Sequence, residues 1–309
     1  VQLIKEGDIL VCTSSGSKHL VGKAAQASRD LNMTFGAFCK IIRPKNINSD
    51  FLGFYFKSNI YRQKISEFSR GANINNIKTE HIDSLQIPIP PRDIQHQIVS
   101  ELDTLNYIID KKKEQLNELD NLAQATFYDM FGDPVENEKG WEVKKLGDIS
   151  DLKAGVFVKA DDIYPIYEES LFQCYGGNGI RGYVETSTHE GEFVLIGRQG
   201  ALCGNVKKAV GKFHATEHAV VCTPIIEYNI DWFYFTLFFM NLNQYATGAA
   251  QPGLSVRKLV TIDISVPSLP LQTQFAEKIK HIEKQKALIQ RSIDDVQQLF
   301  DYTMDKYFN

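Results

Sequence analysis

The chain has no apolar run of the roughly 18 residues that a membrane span needs. Its start, VQLIKEGDIL, also has neither the basic stretch nor the apolar core of a secretory signal. Both absences lead to the expectation of a soluble, cytoplasmic protein. The first residue is Val1 rather than Met, which points to a fragment or a processed chain. Cysteine is scarce: Cys12, Cys39, Cys174, Cys203 and Cys222 are odd in number, form no CxxC pair and sit mostly among apolar residues. That pattern fits buried, reduced thiols rather than a disulfide framework or a structural metal site. Nothing matches a Walker loop, a GxSxG elbow, a PD…(D/E)xK nuclease site or the NPPY-type loop of amino-methyltransferases. Pro90-Pro91 lacks the aromatic residue such a loop needs, and the hydroxyls of Thr13-Ser14-Ser15 have no nearby base. No catalytic residue, metal or cofactor is therefore expected. An overall excess of positive charge is also lacking, with 34 Lys and Arg against 38 Asp and Glu. The balance is uneven, however. Residues 1–90 carry 12 basic and 7 acidic side chains, residues 91–131 carry 4 and 8, and residues 141–266 carry 11 and 14. The second half must bind any phosphate through locally arranged groups rather than an overall field; the plainer reading of these balances is a solvated surface.

What the chain does have is a long amphipathic helix that occurs twice. Over residues 94–131, preceded by Asp93, apolar side chains fall at Ile98, Leu102, Leu105, Ile109, Leu116, Leu119, Ala123 and Met130, with Lys112 and Thr126 completing steps of four and three. This is a coiled-coil seam. It opens after Pro90-Pro91 and closes at Gly132, followed by Pro134, so the predicted rod is about 55–60 Å long. A shift of 177 positions carries Ile98 to Phe275 and Leu102 to Ile279, and the seam continues through Ile282, Lys286, Ile289, Ile293, Val296, Phe300, Thr303 and Tyr307. The same offset pairs Ile89-Pro90 with Val266-Pro267 and Gly71-Ala72 with Gly248-Ala249. One offset holding over some sixty residues is an internal repeat. Lys112 stands opposite Ile289 in this alignment and Ile109 opposite Lys286, and such polar seam positions commonly fix register and partner.

A folded module precedes each helix. In the first, GDILVCTSS reads as a strand ending in hydroxyl residues, FGAFCKIIRP as a strand closed by Pro44, residues 50–68 as one amphipathic helix, and residues 71–91 as a Gly/Asn loop with a short alternating strand. Residues 133–140 form a turn-rich linker. In the second module GEFVLIGRQG, HAVVCTP, DWFYFTLFFMNLNQYA and TGAAQPGLSVRKLVTIDISVP follow in the same order. About fifty residues, 141–190, precede Gly191 in the second module, whereas six precede Gly7, so the first copy is expected to lack its front half.

Two short patterns suggest chemistry that their surroundings do not support. Gly177-Asn178-Gly179-Ile180-Arg181-Gly182 fits the GxGxxG dinucleotide fingerprint, but the β-branched stretch after it leaves no room for the helix that would hold a pyrophosphate. A glycine-rich loop with Asn178 and Arg181 exposed can instead present N–H groups and a guanidinium fork to DNA. His214-Ala215-Thr216-Glu217-His218 fits HxxEH, which needs a helix to bring both histidines to one zinc. Between Gly211 and Pro224 a strand is favoured, which would put His214, Thr216 and His218 on one face and Glu217 on the other.

Two modules, each followed by a long repeated helix, together with YGGNGIRGY (175–183), LIGRQGALCGNV (195–206), HATEH, IPIPPRDIQHQIV with its echo ISVPSLPLQTQFA, and FYDMFGD, resemble the specificity (S) subunit of type I restriction–modification systems. The resemblance implies an α+β fold: two target-recognition domains of mixed sheet and helices, separated by two long helices packed as an antiparallel coiled coil. The corresponding division is 1–90, an N-terminal domain lacking its front half; 91–132, the first spacer helix; 133–270, the second domain; and 271–309, the second helix. It also implies a non-catalytic subunit that reads a bipartite target on double-stranded DNA. Methyltransferase subunits would dock on the helices and separate restriction subunits would translocate and cut, the whole complex being a site-specific deoxyribonuclease and adenine methyltransferase. No cofactor of its own is implied.

Candidate base or backbone contacts in the second module are Asn178, Arg181, Arg198 and Gln199. Arg198 and Gln199 precede Gly200 in a strand-to-turn segment where both can point outward, and Arg on guanine or Gln on adenine are common bidentate readers. Arg198 could instead pair with a carboxylate such as Glu217. Lys207 and Lys208 are candidate phosphate contacts or a plain surface turn. Gln251, Asn73 and Asn76 lie in Gly-rich loops that approach the groove or are merely turns, and Lys18 is a further candidate in the first module. The competing function is a coiled-coil scaffold whose modules bind protein partners.

Overall fold

The computed structural model describes residues 3–17, 19–70, 76–248 and 252–308, with the backbone alone at Ser69 and Arg70. The first apolar run makes β1 (Ile9–Cys12), in which Ile9 and Val11 turn to the core while Leu10 and Cys12 are half-buried, the period-two pattern of a strand. It pairs antiparallel with β2 (Ala24–Gln26) on one side and β3 (Cys39–Ile42) on the other. The buried Asp8 just ahead of β1 is held by Arg43, whose Nε and Nη2 donate to the two carboxylate oxygens at 2.7 Å each, and by the Lys5 N–H at 2.7 Å. These donors hold the carboxyl below its ordinary range, Arg43 contributing most and outweighing the effect of burial.

The stretch expected to be one amphipathic helix is two, α1 (Ser49–Tyr55) and α2 (Asn59–Arg70). Ser58 makes the break: its hydroxyl donates to the Tyr55 carbonyl at 2.7 Å and accepts from the Tyr61 N–H at 3.3 Å, ending one helix and capping the next. α3 (Thr79–Asp83) follows. The alternating stretch at 84–90 forms no strand, contrary to expectation. Then α4 (Arg92–Phe131) runs unbroken to Gly132, whose φ of +74° ends it.

The second half adds β4 (Glu142–Lys145), α5 (Leu146–Ile149), β5 (Ser150–Ala154), β6 (Phe172–Gly176), β7 (Gly179–Val184), β8 (His189–Gly197), β9 (Val206–Ala215), β10 (Ala219–Pro224), α6 (Ile230–Phe239), α7 (Val256–Leu259), β11 (Asp263–Val266) and α8 (Leu269–Phe308). Six strands form one sheet in the order β5-β10-β8-β9-β6-β7, antiparallel throughout except for the β6–β9 pair. One face sends Val194, Ile196, Val206, Val220 and Cys222 into a core shared with Trp232, Phe233 and Leu237 of α6. The other face carries a smaller cluster of Tyr175, Leu195, Phe213, Ala219 and Val221. The central order β9-β8-β10 repeats β2-β1-β3, and α7 begins 177 residues after α3. β11 sits at the repeat position of the unstructured 86–89. It is a strand because β4 pairs with it, and an extended segment without such a partner has nowhere to place its N–H and C=O groups but water.

The chain divides into two compact units, residues 1–117 with 287–309, and residues 118–286. Each contains one end of α4 packed antiparallel on one end of α8. In the first, Tyr307 donates its hydroxyl to Glu101 at 2.8 Å and Phe308 packs at a tilt on Phe51 of α1, ring centroids 5.1 Å apart. In the second, Phe275 meets Phe127 and Phe131 at 5.6 and 5.2 Å, and Lys286 pairs with Asp120 at 2.7 Å. The seam positions Ile98, Leu102, Leu105, Ile109, Ala123, Phe275, Ile279, Ile282, Ile293 and Thr303 are buried.

A glutamine fastens each long helix to its module in the same way. The buried Gln95 accepts from the Asn48 N–H at 2.9 Å and donates to the Pro90 carbonyl at 2.8 Å. Gln272, at the repeat position, accepts from Asn229 and donates to Pro267, both at 2.8 Å. Asn48 and Asn229 are in turn the N-caps of α1 and α6, their side chains accepting from Asp50 and Phe51 and from Asp231 and Trp232.

Candidate functional site

Three stretches singled out in the sequence meet in the second unit. β6 and β7 form a hairpin with Gly177-Asn178 at its tip, so GNGIRG is a strand–turn–strand element and not the strand-to-helix turn of a dinucleotide site. β8 leads into the loop of residues 198–204. The third stretch, HATEH, is not one strand: β9 ends at Ala215, and Thr216 to His218 form the tight turn into β10, closed by the Ala219 N–H on the Thr216 carbonyl at 2.9 Å. His214 and Thr216 are buried while His218 is half-exposed, so the three do not share a face as the strand reading expected. Nor is this the helix that the zinc pattern requires. His214 lies within 3.0 Å of the Val156 carbonyl through Nε2.

Backbone contact holds the three stretches together. A Cβ added at Gly197 would lie 2.0 Å from the Gly177 carbonyl oxygen, so only glycine lets the end of β8 rest on the hairpin tip. The Arg198 N–H donates to the His218 carbonyl at 3.0 Å, and the Thr216 N–H to the Tyr175 carbonyl at 2.9 Å. The loop after β8 is pinned from outside by Gly200 N–H on the Pro252 carbonyl at 3.0 Å and Leu254 N–H on the Arg198 carbonyl at 2.8 Å. Between them opens a cleft of about 660 Å³, lined by residues 176–181, residues 199–202 and His218.

Of the candidate residues, Asn178, Arg181 and Gln199 are exposed along this cleft. Asn178 accepts a hydrogen bond from the Asn205 amide, which orients it. Arg198 does not point outward. Its Nη1 reaches the Glu217 backbone carbonyl at 3.4 Å, while the Glu217 carboxylate pairs with His218 at 3.1 Å. Arg198 therefore supports the turn, through the Glu217 carbonyl and not its carboxylate. Lys207 and Lys208 alternate across β9 and separate. Lys207 is exposed and packs beside Gly179, close to the cleft. Lys208 turns to the opposite face, where its ammonium pairs with Asp231 and lies 3.9 Å from Glu192. Its charge is thus already paired within the protein, unlike that of Lys207 as an expected phosphate contact. Asn76 belongs to the first unit, bridging Ser14 at an exposed position. Lys18, Asn73 and Gln251 lie outside the described residues.

Among the described residues, four of the five buried side-chain polar atoms without a hydrogen-bond partner belong to this region: Arg198 Nε, His214 Nδ1, Thr216 Oγ1 and Glu217 Oε2. Burial pushes the nearby Cys174 thiol up, with Arg181 opposing, and pushes the His189 imidazole down. Sequence reading missed Ile180 and Leu202 as the exposed apolar lining and Asn205 as the brace of Asn178. The hairpin tip, by its GxGxxG spacing, and His218, by the HxxEH pattern, carried a signal. No helix among the described residues is long and apolar enough to cross a membrane.

The family described as the type I restriction modification DNA specificity domain matches residues 2–121 and 138–298. The chain is similar to the type I restriction enzyme EcoprrI specificity subunit of Escherichia coli, 51% identical over 142 residues, which is 46% of this chain and 35% of that protein. It is also similar to the EcoKI specificity subunit of Escherichia coli (strain K12), 41% identical over 138 residues, 44% of this chain and 30% of that protein. The matched stretches thus span about a third of those relatives' length. Among solved structures, the S subunit of a type I restriction–modification system from M. genitalium aligns with a TM-score of 0.60 at 16% identity, covering 99% of this chain and 84% of that one. A chain from a structure on complex assembly and conformational transition of the type I R-M system aligns at 0.64 and 16%, covering 100% and 83%. At that identity the likeness is one of fold.

Proposed function

On the premise that this chain belongs to the type I restriction modification DNA specificity family, we propose that it is the sequence-reading, non-catalytic subunit of a type I restriction–modification complex. Residues 1–90 and 133–270 act as target-recognition modules, each reading one half of a split sequence on double-stranded DNA. Residues 91–132 and 271–309 act as the spacer on which methyltransferase subunits dock, with restriction subunits joining the assembly.

The observation that carries the reading is the convergence of three separate stretches on one cleft, with Asn178, Arg181 and Gln199 exposed along it. These side chains have the fork and amide geometries that recognise guanine and adenine edges in the major groove. Arg181 is assigned to direct base reading, Gln199 and Asn178 to base or sugar contacts, and Lys207 to a phosphate.

The test is selection from a pool of random duplexes by the full chain. A split consensus with a fixed unread gap is the expected result. Retention of duplexes without any consensus, at an affinity equal to bulk DNA, would refute the reading.

A further inference from the structure

Two apolar side chains stand in this cleft half uncovered. Ile180, on β7, is 51% exposed, and Leu202, in the loop after β8, is 50% exposed. Single exposed apolar residues are ordinary on a protein surface. These two come from different elements, line the same concavity and stand among Asn178, Arg181 and Gln199. The backbone that carries them is fixed, since the Gly177–Gly197 contact joins the hairpin tip to the end of β8 and the Pro252 and Leu254 hydrogen bonds pin the following loop.

The polar side chains can read purines and cytosine by hydrogen bonds. Thymine offers in addition the one apolar group on any major-groove edge, its C5 methyl. An apolar pair flanked by amide and guanidinium groups matches that edge. Side chains that wedge between base steps project from a surface, whereas Ile180 and Leu202 line a hollow, which favours edge contact over insertion. We propose that Ile180 and Leu202 together receive the C5 methyl of a thymine in the half-site read by the second unit. This rests on the DNA-reading function proposed above and deepens it, because it assigns the discrimination of thymine from cytosine to two side chains that carry no hydrogen-bonding group.

The test uses the duplex selected by the full chain, in which each thymine is replaced in turn by deoxyuridine, a change that removes only the methyl. At one position of the half-site the wild-type chain loses affinity about three- to fivefold, the worth of one buried methyl group. At that position Ile180→Ala and Leu202→Ala lose nothing further, because the partner of the methyl is already gone. Random duplexes bind equally well to all three proteins. Both side chains are exposed, so neither variant threatens the fold, and the deoxyuridine arm leaves the protein untouched. Sequence-selective binding that ignores deoxyuridine at every position, a half-site without thymine, or losses that multiply independently would overturn this proposal while leaving DNA reading intact. A loss of DNA bending in the variants without a deoxyuridine effect would overturn it in favour of a wedge. A chain that selects no sequence defeats both proposals.

Discussion

Two arginines border the cleft, and their surroundings give them different work. Arg181 is exposed along it, whereas Arg198 is turned into the Thr216–His218 turn. Arg181→Ala is therefore expected to weaken binding to the selected site by about 1–3 kcal/mol while sparing random duplexes. Equal losses on both, in a filter or fluorescence titration, would contradict base reading. Arg198→Ala should act through the fold: the Glu217 carbonyl loses its donor and the unit's unfolding midpoint falls, with any loss of binding following from the loosened turn. Lys207 and Lys208 divide in the same manner, since Lys208 is held by Asp231. Lys207→Ala should flatten the dependence of log K on log salt by about one unit, and Lys208→Ala should leave that slope unchanged. Residue types at these positions were legible in the sequence. Side-chain direction was not, because it depends on Glu217 and Asp231, some twenty residues away along the chain.

At the scale of elements, the sequence marked the long helices well and the short ones poorly. The heptad series is real, yet near its ends other positions are buried against the modules. Near the end of α4 the buried side chains are Phe127 and Phe131 rather than the seam residues Thr126 and Met130. Phe127 packs 5.0 Å from Phe239 of α6 as well as on Phe275, so the helix buries a wider face where a third element meets it. Met304 and Phe308, at the repeat positions, are buried likewise in the first unit. Helix periodicity reports one partner, and the third layer adds positions it cannot indicate. The glutamine clamps were also invisible, because a single Gln after a proline has no pattern around it. Gln272→Ala removes an acceptor from the Asn229 N–H and a donor from the Pro267 carbonyl, and each group left unpaired costs of order 1–3 kcal/mol. Chemical denaturation should show that loss, and Gln95→Ala should show the same in the first unit. Thermal scans indistinguishable from wild type would mean that water replaces the clamp.

At the scale of the whole molecule, the two units should respond differently to acid. Asp8 is buried in the first unit with its pKa held below the ordinary value by Arg43 and Lys5, so its contribution is present above about pH 4 and is lost as pH falls further, through its folded pKa. The first unit is expected to lose stability in that window, and Asp8→Asn should make it less stable at neutral pH and flatten its pH dependence below 4. An acid unfolding curve unchanged by the substitution would remove Asp8 from this role. By itself the sequence determined the repeat, the two long helices, the strands β1, β3, β8 and β10 and the family, since all of these are written in local periodicity and in spacing that survives without contacts. Tertiary structure alone decided that GNGIRG, GRQG and HATEH form a single cleft, which arginine and which lysine stay exposed beside it, and that 86–89 remains unpaired while its counterpart becomes β11. The reason is common to all three: a hydrogen bond, an ion pair or a strand needs a partner brought from elsewhere in the chain, and no local pattern names that partner.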